Sequence, residues 1–349
     1  MGDFRSILPL LLRIPDILTE EERQAIRTVY ASVGRDAVDS ILKKEKQSRP
    51  FASEVLSVCG CDSDYWSKVH NGYFQRNTAI VEILKSIFES FHDKGGETLN
   101  VYENFGAVLS SGLSIGNFAS GDVDFTVEPD EEQLVIQVLH ENGFYEEVRS
   151  DHAKASDQIV VSFYNPKALD GKGYWLNIMR KPVARSFMLN QRRYVARLSE
   201  SRKEGLMKYQ DTEIRLLEPT AMVYFNALHF ACEHFYSASP GMALCCDMDR
   251  VIRTHEIDWD KLVRWSEEDK AGLRIRMALD VSHYFLKTEV PLEKFGKPSN
   301  IYMKLRHKII DEEHNYLIPQ EGKKARLITE LMSDDMPMVK ALIRRVWSK

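Results

Sequence analysis

The sequence predicts an α+β protein, a small mixed β-sheet flanked by helical regions on its N-terminal and C-terminal sides. Three observations carry this expectation. Up to about residue 95, apolar residues recur at helical spacing. Between residues 96 and 185, short runs rich in β-branched and aromatic residues are separated by glycine-bearing turns and by one amphipathic segment. From residue 186 to residue 349 the helical pattern returns. The expected division is therefore 1–95, 96–185 and 186–349.

Taken in order, Thr19 and Glu22 form a Thr-x-x-Glu capping box, so a helix should begin there and run to Val33, with Gly34 ending it. Residues 48–65 hold Pro50, Gly60 and several serines and read as a connection. From Asn77, the residues Ile80, Ile83, Leu84, Ile87, Phe88 and Phe91 line one helix face until Gly95 and Gly96. Leu99–Tyr102 reads as a strand, 106–113 as a short helix or loop, and Asp122–Val127 as a second strand. Pro129 and the acidic run 130–132 open a helix whose buried side is Leu134, Val135, Val138 and Leu139; acidic residues suit the positive end of a helix dipole. Three strands are expected at 145–149, 159–164 and 174–179. Pro219 starts a long apolar helix reaching His234, residues 237–241 break it, and helices follow at 243–254, 258–268 and 270–287. The tail from residue 300 alternates acidic and basic clusters, the pattern of a solvated helix face.

Composition narrows the class. At 349 residues the chain can hold two or three cores, and its 44% hydrophobic and 28% charged residues are ordinary for a globular protein. The net charge of −5 argues against broad nucleic-acid binding through bulk charge. Five cysteines without disulfide-framework spacing fit a reducing compartment, so a cytoplasmic location is expected. The apolar run from Ile7 to Leu12 is too short to span a bilayer, and no membrane association is expected. Met1-Gly2 with Ser6 matches a myristoylation pattern only formally, because no polybasic patch lies nearby.

The stretch around which the chain is organised is 110–127, SSGLSIGNFASGDVDFTV. A glycine- and serine-rich run leads into Asp122 and Asp124, which stand two apart on an expected strand and so face one side about 7 Å apart at Cα. Two carboxylates held together are costly unless a cation neutralises them, and hard oxygen ligands suit Mg²⁺ with substrate phosphates. The glycine run offers backbone that can approach a phosphate. The pattern points to metal-dependent phosphoryl or nucleotidyl transfer; the competing reading is a turn and strand whose aspartates are solvated or act as caps. Arg180, Lys181, Arg185, Arg192 and Arg193 follow the last strand and suit contact with a triphosphate, or else form a solvated loop and helix start.

The order helix, strand, glycine turn, Asp-x-Asp strand, helix and further strands resembles the nucleotidyltransferase superfamily that includes polymerase β and the small-molecule adenylyltransferases. Within it the chain is most similar to the uncharacterised bacterial nucleotidyltransferase-like family with a helical C-terminal half, over about residues 70–290. The stretches that carry this are Arg76-Asn77, Gly106-Ala107-Val108-Leu109, Gly121-Asp122-Val123-Asp124-Phe125, Leu228-His229 with His234, Asp247, and Ile257-Asp258-Trp259-Asp260 with Leu262. The resemblance implies a nucleotidyltransferase core at 96–185 and a two-metal mechanism with Mg²⁺ or Mn²⁺. In it Asp122 and Asp124 hold the metals and the nucleoside triphosphate, while Gly106, Ser110, Ser111 and Gly112 lie near the phosphates, with either Gly106 or Gly112 as the key glycine. Arg180 and Lys181 complete the candidate nucleotide contacts.

Two departures stand out. Asn177 occupies the place of the family's third carboxylate, and Phe105 that of a basic residue before the glycine turn. An amide can ligate a cation through its oxygen but is a poor general base, so a carboxylate such as Asp157 or Asp170 would have to be recruited, or catalysis would be reduced or lost. The expected function is transfer of a nucleoside monophosphate from a triphosphate to an acceptor, a small molecule before RNA or protein. The alternative is a nucleotide-binding or partner-binding module of the same fold. A zinc site from His229, Cys232, His234, Cys245 and Cys246 is weighed and set aside, because the spacing matches no familiar metal pattern and buried Cys and His usually pack. His229 and Asp247 are each open to a packing or capping role or to a place at the cleft. No P-loop and no nucleophile-triad motif is present.

Overall fold

A computed structural model describes residues 4–44, 48–119, 121–148, 160–181, 192–203, 207–313, 316–318 and Asp334. It is α+β: helices flank a seven-stranded mixed sheet. The strands are β1 (Asn100–Tyr102), β2 (Asp122–Thr126), β3 (Tyr145–Glu146), β4 (Val160–Asn165), β5 (Tyr174–Met179), β6 (Met207–Lys208) and β7 (Arg215–Leu216), in the order β3-β4-β5-β2-β1-β7-β6. β2 runs parallel to β5 and antiparallel to β1, and β7 joins β1 in parallel. The sequence showed neither β6 nor β7, because two-residue strands leave no alternation to read. The strand expected at 145–149 is only Tyr145–Glu146, and Ile159 lies outside the described residues.

On the N-terminal side, Thr19 and Glu22 form the expected reciprocal cap, and the helix Glu20–Val33 ends at Gly34. The expected connection at 48–65 is instead mostly helical: Arg49–Val58 is a helix with Pro50 in its first turn. There the missing N–H of proline costs nothing, since first-turn N–H groups have no intrahelical partner. The next helix begins at Ser63, not Asn77, and runs 31 residues to Asp93. Its first half holds Trp66, Val69 and Tyr73 at helical spacing among polar residues, with Trp66 buried and Val69 packed against the N-terminal core, while Ile80, Leu84, Ile87, Phe88 and Phe91 are buried as their spacing predicts. Similarly, 237–241 is not a break, because a helix covers Ala238–Thr254 with Pro240 in its first turn. The break falls earlier, where Phe235 and Tyr236 adopt φ of 51° and 56°.

Strand alternation decides what each face of the sheet meets. Val123 and Phe125 turn to one face, where Phe125 packs edge-on against Phe88 of the long helix with ring centroids 5.9 Å apart. Asp122 and Asp124 turn to the other face, together with Tyr102, the cross-strand partner of Asp124. Tyr102 packs against Phe225 at 5.7 Å, so the helix Pro219–Cys232 covers the acidic face. That helix is buried almost all round, as a helix in the middle of a core must be.

Candidate active site

The acidic face starts from a pairing register. Asp122 lies beside Trp175 and Asp124 beside Asn177 on parallel β5, so all four side chains point to one side. The Asn177 amide nitrogen donates to Asp122 Oδ2 at 3.0 Å and to Asp124 Oδ1 at 2.8 Å. One amide reaching both carboxylates means the carboxylates converge. Asn177 is 1% exposed and its Oδ1 has no hydrogen-bond partner. Burial, then the charges of Asp122 and Glu103, push Asp124 up to about 8, against the opposing pull of Asn177 and His229.

Glu103 is a member of this site that the sequence did not reveal. It follows β1 directly, adopts φ 58° and ψ −134°, and is 2% exposed. Such a conformation in a non-glycine residue is strained and persists only where its surroundings enforce it. The Glu103 carboxylate lies 2.5 Å from His229 Nδ1, and His229 Nε2 lies 2.8 Å from His234 Nε2. Burial pulls the His229 imidazole down, yet Glu103, Glu233 and Asp124 together carry it up to about 9. The one available signal was a charged residue directly after a short strand, β1.

The glycine-rich segment is held by a side chain from the long helix. Asn77 Nδ2 donates to the carbonyls of Ile115 at 2.6 Å and Phe118 at 2.8 Å, fixing the chain that leads to Asp122. The expected helix or loop after β1 is the helix Asn104–Ser110. Gly106 is in its first turn and close to β1; a Cβ there would lie 3.1 Å from the Val101 carbonyl oxygen. Gly112 stands past the other end of this helix at φ +65°. Ser110 and Ser111 are at that same far end, their hydroxyls donating to the carbonyls of Ala107 and Val108. The structure thus brings Gly106 to the end of β1 next to Glu103 but leaves Ser110, Ser111 and Gly112 a helix length away.

Arg180 and Lys181 are likewise apart from the aspartates. Three residues along β5 from Asn177, roughly 10 Å, separate Arg180 from the acidic pair. The Arg180 guanidinium is engaged by Glu132 at 2.9 and 2.5 Å. With Lys181, Arg192, Arg202 and Glu128 these residues line a cavity of about 1010 Å³ at the C-terminal ends of β2 and β5. Arg193 lies on the helix Arg192–Lys203, and Arg185 and Asp157 lie outside the described residues. Asp170 is exposed in the turn between β4 and β5, and among the described residues no three His, Cys, Asp or Glu side chains form a metal-binding group.

The remaining candidates pack. Cys232, Cys245 and Cys246 are buried, and Cys246 donates its thiol to the Leu12 carbonyl at 3.3 Å. Asp247 is 4% exposed in mid-helix, raised well above the usual carboxylate range by burial, and faces a small cavity with Asn104 and Asn117. Asp258 caps the helix Trp259–Glu268 through Lys261 N at 2.8 Å. Phe105 is buried, its ring 4.4 Å from that of Phe118.

Two converging carboxylates and a buried amide oxygen without a partner are hard donors of the kind Mg²⁺ and Mn²⁺ take. Turning the amide by half a rotation would bring Asn177 Oδ1 toward the same two carboxylates, an arrangement that repels without a cation and suits one. Among the described residues, no helix is long and apolar enough to cross a membrane. The model of a family described as uncharacterised nucleotidyltransferase matches residues 62–287, more than half of the chain. No curated protein and no solved structure matches it.

Proposed function

Since the chain belongs to the uncharacterised nucleotidyltransferase family, we propose that Asp122 and Asp124 are the centre at which it transfers a nucleoside monophosphate from a triphosphate to an acceptor hydroxyl, with a small molecule as acceptor. The observation that supports this most is the convergence of the two carboxylates on one amide, at 3.0 and 2.8 Å, on the face covered by the helical half. Mg²⁺ or Mn²⁺ held there would supply charge neutralisation for the attacking and leaving oxygens. In the reaction the acceptor oxygen bonds to the α-phosphorus as the α–β bridging bond breaks, and pyrophosphate carries away the electron pair. Asp122 and Asp124 bind and orient, and Asn77 keeps the segment before them in place. Glu103, His229 and His234 form a titratable chain beside the acidic pair, which keeps a positive charge on His229 next to it.

The test is a transfer assay with α-labelled nucleoside triphosphates, Mg²⁺ or Mn²⁺ and a panel of small hydroxyl acceptors. Asp122→Asn or Asp124→Asn should lower transfer by more than about 100-fold, beyond what changes to residues merely supporting metal ligands cause, with the circular dichroism spectrum kept. Wild-type turnover in either variant would defeat the assignment. Asn177 in place of a carboxylate favours a second reading, a module that binds nucleotide without turning it over. Calorimetric binding of nucleotide with Mg²⁺ but no labelled product from any acceptor supports that reading, and any labelled product rejects it.

A further inference from the structure

The register that brings Asp122 and Asp124 to one face of the sheet carries two aromatic side chains with them. Trp175 on β5 is the partner of Asp122, and Tyr164 on β4 is the partner of Trp175, so Asp122, Trp175 and Tyr164 form one row across three neighbouring strands. Cross-strand partners point to the same side, about 5 Å apart from one strand to the next. Asp124, Asn177 and Ser162 make the adjacent row. Backbone pairing alone fixes this placement.

The two rings touch, with centroids 4.7 Å apart and planes inclined by 35°. Tyr164 reaches this position because Gly173 has no side chain: a Cβ there would run into the Tyr164 hydroxyl. Tyr164 therefore backs the indole from the β4 side, and Asp122 stands on its β2 side. Burial separates the two faces of these strands. On the opposite face Val123, Phe125, Phe163 and Leu176 are at most 1% exposed, whereas Trp175 and Tyr164 stay part-exposed on the acidic face. Large aromatic side chains left part-exposed beside a polar site offer a flat apolar surface, and such a surface suits a planar ring.

We propose that Trp175, backed by Tyr164, is the surface on which the base of the nucleoside triphosphate stacks while its phosphates lie at Asp122 and Asp124. The proposal rests on the nucleotide reading above and adds to it the group that recognises the base. One strand spacing separates the indole from Asp122, a distance that a ribose bridges. Every base has a π-face, so stacking accepts all four and favours the wider purines. A ring already held by strand register and by a second ring loses little freedom on binding.

The experiment is calorimetry on the full chain with Mn²⁺ and either the four common nucleoside triphosphates or inorganic tripolyphosphate, which has no base. Trp175→Ala should weaken the nucleotides by at least about fivefold, the loss of one stacked aromatic, with the larger loss for ATP and GTP. Tripolyphosphate binding should stay within about twofold of wild type. Trp175→Phe should recover most of the nucleotide affinity, because it keeps a ring. Nucleotide binding unchanged in Trp175→Ala overturns the proposal, and so does an equal loss for tripolyphosphate, which would mean that the carboxylates had been disturbed. Should Trp175→Ala unfold, fluorescence decides: nucleoside triphosphate but not tripolyphosphate should quench the emission that wild type has and Trp175→Phe lacks, and no such quenching overturns it. Each of these failures leaves the nucleotide reading standing so long as wild type binds the triphosphates. Base-dependent loss without labelled product keeps this inference and removes the enzymatic reading; no binding of any of these ligands to wild type overturns both.

Discussion

At the C-terminal end of the β2–β5 pair, Arg180 closes on Glu132, and buried Arg202 donates to Thr126 Oγ1 at 2.7 Å and to Glu128 at 2.8 Å. At the other end Asp122 and Asp124 share one amide, and Asn177 Oδ1 has no hydrogen-bond partner. The two ends belong to the same strands, separated by a few residues, so the contrast does not come from burial or sheet position. It comes from charge balance. At the first end Arg180 and Arg202 each have a carboxylate within hydrogen-bond reach; at the second, two carboxylates stand together and an amide oxygen is left for a ligand to complete. The lesson is to look for function at unsatisfied groups, which cost stability in the unliganded chain.

The balanced end is the place where a single substitution should cost most. Arg202→Met leaves Glu128, with a side chain 13% exposed, without its main counter-charge, and Thr126 Oγ1 without its donor. Removing one partner of a buried pair costs about 3–5 kcal/mol, which denaturant unfolding would register. Binding of Mn²⁺ with tripolyphosphate should be unchanged once folded protein is counted. A larger effect on binding than on stability would erase the distinction between the two ends.

How much of this was legible depended on whether a signal was local. The Asp-x-Asp pair is local, and β2 forms where expected, with both side chains on one face. The Thr19–Glu22 cap and the stripe from Ile80 to Phe91 are also local. The helix Arg49–Val58 was hidden by Pro50, which breaks a helix interior but suits a first turn. Ser110 and Ser111 looked like phosphate donors from composition, yet a short helix turns their hydroxyls onto their own carbonyls. Glu103 was out of reach for the opposite reason. Its partner His229 lies far along the chain, and only the folded structure brings the two together.

The unbalanced end makes its own prediction with pH. His229 carries a folded-state value near 9 against an ordinary 6.5, because Glu103 and Glu233 outweigh burial. A raised folded value means stability fully present below about 6.5 and lost as pH rises through about 9. Asp124, raised to about 8 from 3.8, acts in the same direction over a lower window, so the measurement belongs in an Asp124→Asn background. There, with the Asp124 charge no longer helping to raise His229, urea unfolding should lose less than about 3 kcal/mol between pH 6.5 and 9, and adding His229→Gln should flatten the profile. A profile unchanged by His229→Gln would mean that His229 stays neutral beside Glu103.

The smallest and most discriminating change is Asn177→Asp. With no cation, a third carboxylate between Asp122 and Asp124 can only add repulsion, so the metal-free chain should lose about 1–2 kcal/mol of stability and gain it back with Mn²⁺. If the amide oxygen is the group that meets the cation, the substitution should tighten Mn²⁺ binding by about tenfold, the benefit of a full negative charge over a dipole. Thermal unfolding across a Mn²⁺ series measures both effects in one experiment. The opposite sign at either point is informative. A metal-free chain that is not destabilised would mean the new carboxylate has turned away from the pair, and unchanged Mn²⁺ affinity would mean the cation lies on the far side of the aspartates from β5. In that second case the unpartnered Oδ1 of Asn177 would have to be meeting substrate, which moves the nucleotide closer to Trp175 and away from Glu103.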